Sequence, residues 1–252
     1  MDNKRNIKIF DDSESAADYI IARWSEAALT SVRQRGLFSV ALSGGKTPGV
    51  VYDRFSLSDK IFAWNKTHIF FADERFVPAN SPESNYHLVQ GHLISRVGAP
   101  QGNVHRVKTR GVSLEDAARI YEEELKQFFK VSLPRFDLIM LGVGADGHTA
   151  SVFPGQNGYL DSHQLVIPVV TKTFPPERIS LTLDVINNAR HVIMFITGRS
   201  KAKIVQEVVG RRNTMFPAAR VIPHEGELTY VLDLAAASLL KEHNPGMQSL
   251  GV

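Results

Sequence analysis

Phe136 to Gly155 reads FDLIMLGVGADGHTASVFPG. Its apolar start, Phe136 to Leu141, is interrupted only by Asp137 and has the length and content of a buried strand. The run breaks at once into Gly142, Gly144 and Gly147, residues that permit positive φ and let a ligand approach the backbone closely. Between them stand Asp146 and His148, a carboxylate and an imidazole suited to proton transfer near neutral pH. An Asp-Gly turn and a lone histidine are each common in purely structural roles. Their meaning depends on what surrounds them.

Three other apolar runs end in a similar way. LFSVAL, Leu37 to Leu42, leads into Ser43, Gly44, Gly45, Lys46, Thr47 and Pro48; THIFFA, Thr67 to Ala72, leads into Asp73, Glu74 and Arg75; HVIMFIT, His191 to Thr197, leads into Gly198, Arg199, Ser200 and Lys201. Helical spacing lies between these runs. Ala17, Ile20, Ile21, Trp24, Ala27, Ala28 and Val32 predict a helix over 14–34, with Ser13 as N-cap and Gly36 as stop. Ser84 or Asn85 opens another helix to about Ile94, and Ser113 caps SLEDAARIYEEELKQFFK, whose Glu122 to Glu124 patch reads as a water-facing surface. Further along, Gln164 to Val170 reads as extended and TFPPER as a loop. ISLTL (Ile179 to Leu183) follows as a strand, DVINNA as a short helix and KAKIVQEVV as a helix. LTYVLD gives a last strand and Leu234 to Lys241 a closing helix, while 243–252 reads as a loose tail on a single unit, 1–252.

Strands alternating with helices imply an α/β, Rossmann-like fold: a mainly parallel sheet with helices on both faces. Ligands bind such sheets beyond the carboxyl ends of the strands, which is where all four singular loops fall. SGGKTP, a glycine turn between strand and helix, presents backbone N–H groups to an anion such as phosphate. It is not a nucleotide P-loop, because the first glycine of that motif would occupy position 40, which is Val40. Composition narrows the remaining classes. The absence of cysteine excludes a disulfide framework, a thiolate metal site and a cysteine nucleophile. No run approaches the roughly 18 apolar residues of a membrane helix, and no signal-like segment opens the chain, so a cytoplasmic protein without membrane contact is expected. A net charge of +3 without a long Lys/Arg run points away from nucleic acid and toward a local pocket for a small anion.

SGGKTP, FFADERFVPANSPESNY, GVGADGHTASVFPG and PPERISLTLDVINNARHVIMFITGRSKA, running in order from about Phe38 to Val208, resemble the glucosamine-6-phosphate isomerase/6-phosphogluconolactonase family, on its lactonase side. The resemblance implies hydrolysis of a sugar-phosphate lactone, 6-phospho-D-glucono-1,5-lactone, with no cofactor and no metal. It also implies the glucosamine-6-phosphate deaminase-like version of the α/β fold. In that reading His148 is the general base for water and Asp146 orients it, although their spacing allows direct contact without requiring it. Arg75 either serves substrate or oxyanion, or pairs with Asp73 or Glu74. Ser43, Gly44, Gly45 and Thr47 hold the phosphate with help from Arg178 and Lys201, the latter matching the family's TGxxKA lysine. Arg199 departs from the small or acidic residue expected there, and the role of Lys46 stays open. The deaminase branch resembles DGHIAFNEP at this block, whereas here no carboxylate follows His148 until Asp161, so the acid–base set for isomerisation is incomplete. A sugar-phosphate sensor without catalysis is the other alternative. A monomer or weak dimer is expected.

Overall fold

The computed structural model describes residues 4–58, 62–155, 164–240 and 247–249. Among these residues ten strands are present: β1 Lys4–Phe10, β2 Phe38–Leu42, β3 Thr67–Phe71, β4 Asp73–Arg75, β5 Leu138–Leu141, β6 Val166–Val170, β7 Glu177–Leu181, β8 His191–Ile196, β9 Glu227–Asp233 and β10 Met247–Ser249. Seven of them form one sheet in the order β10-β1-β9-β8-β5-β2-β3, and every pair in it is parallel.

The continuous apolar runs of the central strands follow from burial on both faces. Successive side chains point to opposite sides, and the core divides accordingly. Val40, Leu42, Ile69, Phe71, Leu138, Met140, Ile193 and Phe195 join one cluster, with Trp24 of helix Ser13–Arg35 and Tyr52 of helix Lys46–Arg54. Ala41, Phe70, Ile139, Leu141, Val192 and Met194 join the other, with Tyr121 and Leu125 of helix Leu114–Phe129. One amphipathic layer on each face is what a doubly covered parallel sheet requires.

Several local expectations shift. The first helix is capped by Asp12 rather than Ser13: Asp12 Oδ1 accepts from the N–H groups of Glu14 and Ser15 at 3.0 and 2.8 Å. Gly36 ends it in the left-handed region at φ 80°, as expected. Glu122 is not simply a wetted residue. Its carboxylate accepts from Leu165 N–H (2.8 Å) and Val166 N–H (3.2 Å), tying the helix to the start of β6. β1 was not anticipated. The segment after β8 is a short helix, Ala202–Val205, that widens into a π-turn over Gln206–Gly210, and the closing helix is only Leu234–Ala237. Within the expected tail, Met247–Ser249 runs parallel to β1, and the rest of 243–252 lies outside the described residues.

The largest departure is a second sheet. β6 and β7 do not join the parallel sheet; with β4 they form an antiparallel one in the order β4-β7-β6. The connection between β6 and β7 is too short for a parallel crossover, so the two must pair as a hairpin. Asp73–Arg75, read from sequence as a polar loop, is the edge strand of this sheet. Its register sets Arg75 directly opposite Arg178.

Candidate active site

A cavity of about 410 Å³ opens at the carboxyl ends of β2, β5 and β8, bordered by the small antiparallel sheet. Ser43, Gly44, Gly45, Thr47, Arg75, His148, Arg178 and Lys201 all line it. Asp146 stands directly behind His148. The residues to which the sequence assigns a catalytic or phosphate role therefore lie together, whereas Arg199 does not line the cavity.

The loop after β5 is a tight, self-bonded turn. Gly144 N–H donates to His148 O at 2.8 Å, Gly147 N–H to Gly144 O at 3.0 Å, and Thr149 Oγ1 to Gly142 O at 2.9 Å. Gly144 is required because a Cβ there would lie 2.1 Å from His148 Nδ1. Gly147 sits at φ 81°, where a Cβ would also strike the Phe216 ring at 2.3 Å. The turn brings His148 Nδ1 to 2.5 Å from Asp146 Oδ1, so the contact that the sequence only allowed is made. A carboxylate can only accept, so Nδ1 carries a proton, and in the neutral imidazole it is Nε2 that holds the lone pair. Burial alone would raise the Asp146 carboxyl, but the adjacent His148 charge and the hydrogen bonds from His148 prevail and hold it below the ordinary aspartate range. On its other side the imidazole packs on the Phe153 ring, with centroids 4.5 Å apart.

The loop after β2 supplies neutral donors. Gly45, at φ 106°, precedes helix Lys46–Arg54, and no side chain caps that helix end, so its first N–H groups remain available to an anion. Tyr52 Oη donates to Ser43 O at 2.7 Å and pins the loop from below, while the Ser43 hydroxyl is buried without a partner among the described residues. Thr47 Oγ1 lies 3.4 Å from Thr197 Oγ1, at the end of β8. Lys201 Nζ donates to Val143 O at 2.7 Å, and burial lowers its pKa.

Two arginines form the opposite wall. Arg178 lies over the Phe153 ring at 5.5 Å and donates to Pro175 O and Thr173 Oγ1. Burial first, and then the charge of Arg75, lower its pKa. Arg75 does not pair with Asp73 or Glu74: among the described residues no carboxylate lies within ion-pair distance of it, and its Nη1 donates to Glu83 O at 2.9 Å. Like charges directly opposite on paired strands repel, and the nearby Asp73 and Asp146 charges offset only part of this at Arg178. Asp73 is buried and accepts from Ser151 Oγ at 2.7 Å.

Asn85 and Thr197 also line the cavity, and sequence reasoning had not singled them out. Asn85 carried a faint signal. It follows Ser84, and two cap-type residues in succession cannot both cap; Ser84 takes that role by accepting from His87 N–H at 3.2 Å. Among the described residues no three His, Asp or Glu side chains converge as a metal site, and no helix is long and apolar enough to cross a membrane.

A family model described as glucosamine-6-phosphate isomerases/6-phosphogluconolactonase matches residues 11–230. The human GDH/6PGL endoplasmic bifunctional protein is 36% identical over 236 residues, which cover 86% of this chain but 30% of the human one, so this chain spans under a third of that relative's length. A Synechocystis 6-phosphogluconolactonase is 37% identical over 216 residues, covering 84% of this chain and 88% of its own. Among solved structures, 6-phosphogluconolactonase from Thermotoga maritima is 30% identical with a TM-score of 0.79, over 91% of this chain and 100% of that one. The Trypanosoma cruzi 6-phosphogluconolactonase is 27% identical with a TM-score of 0.82, over 96% and 98%.

Proposed function

The chain belongs to the glucosamine-6-phosphate isomerase/6-phosphogluconolactonase family, and from that premise we propose that it hydrolyses 6-phospho-D-glucono-1,5-lactone to 6-phospho-D-gluconate, with His148 activating the water. The observation that carries this reading is the Asp146–His148 pair, 2.5 Å apart on the rim of a cavity walled by cations.

His148 Nε2 takes a proton from water as the water oxygen bonds to the lactone carbonyl carbon. The carbonyl oxygen becomes an oxyanion, and Arg75 supplies positive charge to it. Donors fixed before the reaction stabilise such a charge more than water does. When the tetrahedral intermediate collapses, the carbon–ring-oxygen bond breaks and the imidazolium returns its proton to the leaving alkoxide. The new acid then ionises to the carboxylate. Asp146 holds the ring in one tautomer and steadies its charged form throughout.

The phosphate lies against the Ser43–Thr47 loop and the first turn of helix Lys46–Arg54, with Lys201 and Arg178 as its cations. A remote phosphate grip holds the reacting carbon in place, so part of the binding energy appears as rate. The cavity volume of about 410 Å³ is in the range for a phosphorylated sugar. His148 and Asp146 meet the need for a base without a metal, and metal independence is part of the proposal. So are a cytoplasmic location and a monomer or weak dimer, checked by fractionation and light scattering. The direct test is 6-phosphogluconolactone hydrolysis corrected for spontaneous opening, with ammonia release from glucosamine 6-phosphate as counter-assay. Hydrolysis without ammonia release is expected. Ammonia release without hydrolysis would overturn the reading.

A further inference from the structure

We infer that Asn85 is the residue by which this site recognises a sugar hydroxyl: its side-chain carbonyl accepts a hydrogen bond from a ring hydroxyl of the bound lactone. The inference rests on the lactonase reading above.

Asn85 is 1% exposed yet lines the cavity. Its Nδ2 donates to Asp73 O at 2.8 Å and faces Asp73 Oδ1 at 3.3 Å. Those acceptors fix the amide orientation, since flipping it would set oxygen against two oxygens. Oδ1 is thereby turned away from Asp73 and, among the described residues, is buried without any hydrogen-bond partner. It lies against the backbone of Gly44, where a Cβ would fall 1.8 Å from it. A side chain at position 44 would displace this oxygen, so glycine there leaves it room beside the cavity-lining Ser43–Gly45 loop. The neighbouring Ser43 hydroxyl is also buried, unpartnered and cavity-lining.

The surroundings hold Asn85 rigidly. Its N–H donates to Glu74 Oε1 at 2.6 Å, and Glu74, itself 2% exposed, also accepts from the N–H groups of Arg75 and Tyr86 and from Ser84 Oγ. Asp73 is anchored in turn by Ser151. One carboxylate thus ties the backbone of Arg75 to that of Asn85, so the cation and the amide keep a constant separation.

The chemistry selects the ligand group. An unpaired carbonyl oxygen accepts only, so it disfavours a phosphate oxygen or the lactone carbonyl and takes an O–H. Buried polar groups are seldom left without partners, and a site built to bond a substrate hydroxyl rejects the analogue that lacks it. Asn85 is then a specificity residue, separate from the phosphate grip and from His148.

The experiment compares kcat/KM of the native protein for 6-phosphogluconolactone and for its 2-, 3- and 4-deoxy analogues, then repeats the series with Asn85→Ala. One deoxy analogue should be at least about tenfold poorer with the native protein, the cost of leaving one buried acceptor unpaired. That difference should fall to within about twofold in the variant. Equal use of all three analogues by the native protein would overturn the inference, and that arm needs no variant to fold. Unchanged discrimination in a folded Asn85→Ala protein would overturn it too. Either result leaves the lactonase reading standing, whereas failure to hydrolyse any lactone removes both.

Discussion

Two cavities of similar size lie at opposite ends of the parallel sheet, and they use charge in opposite ways. The one at the amino ends of β5, β8 and β9 is slightly larger, about 480 Å³ against 410 Å³, and four arginines line it. Those charges are spent on one another. Arg35 and Arg190 approach Asp137 at 2.9 and 3.4 Å, Arg135 meets Glu225 at 3.1 Å, and Arg23 meets Glu26 at 2.5 Å. At the carboxyl ends, among the described residues, Arg75 and Arg178 lack a carboxylate partner, and Ser43 Oγ and Asn85 Oδ1 lack any partner. Size does not separate a binding site from a structural hollow. Guanidiniums left without an ion-pair partner do.

The buried carboxylates beneath the two cavities repeat the contrast. Asp137, 3% exposed, is met by two guanidiniums and by the N–H and Oγ of Ser39 at 2.8 and 3.0 Å. Glu74 is met only by neutral donors, and burial pushes its pKa up to about 7 despite them.

The sharpest break of this comparison is His148→Ala. It should lower kcat by about 10²–10⁴-fold, equivalent to about 3–5 kcal/mol, while urea unfolding stays close to that of the native protein. Near-native turnover in the folded variant would remove the base from the mechanism. At the other end, Asp137→Ala should do the reverse: about 3–5 kcal/mol of stability is lost because two guanidiniums are left without their buried partner, and activity per folded molecule is unchanged. A fall in kcat there, with stability intact, would erase the distinction between the cavities.

The smallest effect concerns pH. A carboxyl raised above its unfolded value keeps its proton longer in the folded chain, so its contribution is complete below about pH 4.5. The contribution is lost as pH rises to about 7. Glu74 should therefore cost about 3 kcal/mol of stability across that window. Unfolding free energies of native protein and Glu74→Gln, measured from pH 4.5 to 7.5, should diverge with pH. Parallel curves would show that Glu74 titrates as an ordinary carboxylate.

The parallel sheet was legible because its central strands are buried on both faces and so appear as uninterrupted apolar runs. The site loops were legible because glycines and ionisable residues are conspicuous at strand ends. β1 was hidden because KRNIKIF alternates polar with apolar residues and has no long apolar run. Asp73–Arg75 was hidden for a different reason. Three successive charges read as solvent-exposed, yet Asp73 and Glu74 are buried, since besides the N–H of Arg75 they are satisfied by donors 10 to 78 positions away. No local pattern announces such partners. The same holds for Glu122, whose acceptors' partners lie 43 and 44 residues on. Arg75 and Arg178 were each visible as candidate cations, but their adjacency is a product of strand register, which neither segment reveals alone.

That adjacency ties ligation to folding. Facing arginines on paired strands burden the empty protein with a repulsion that an intervening anion would lift. A sugar phosphate would therefore act on the whole molecule as a folding ligand, in proportion to its concentration over its dissociation constant. Occupancy of the site and lifetime of the fold would then rise and fall together, and proteolysis would fall hardest on empty molecules.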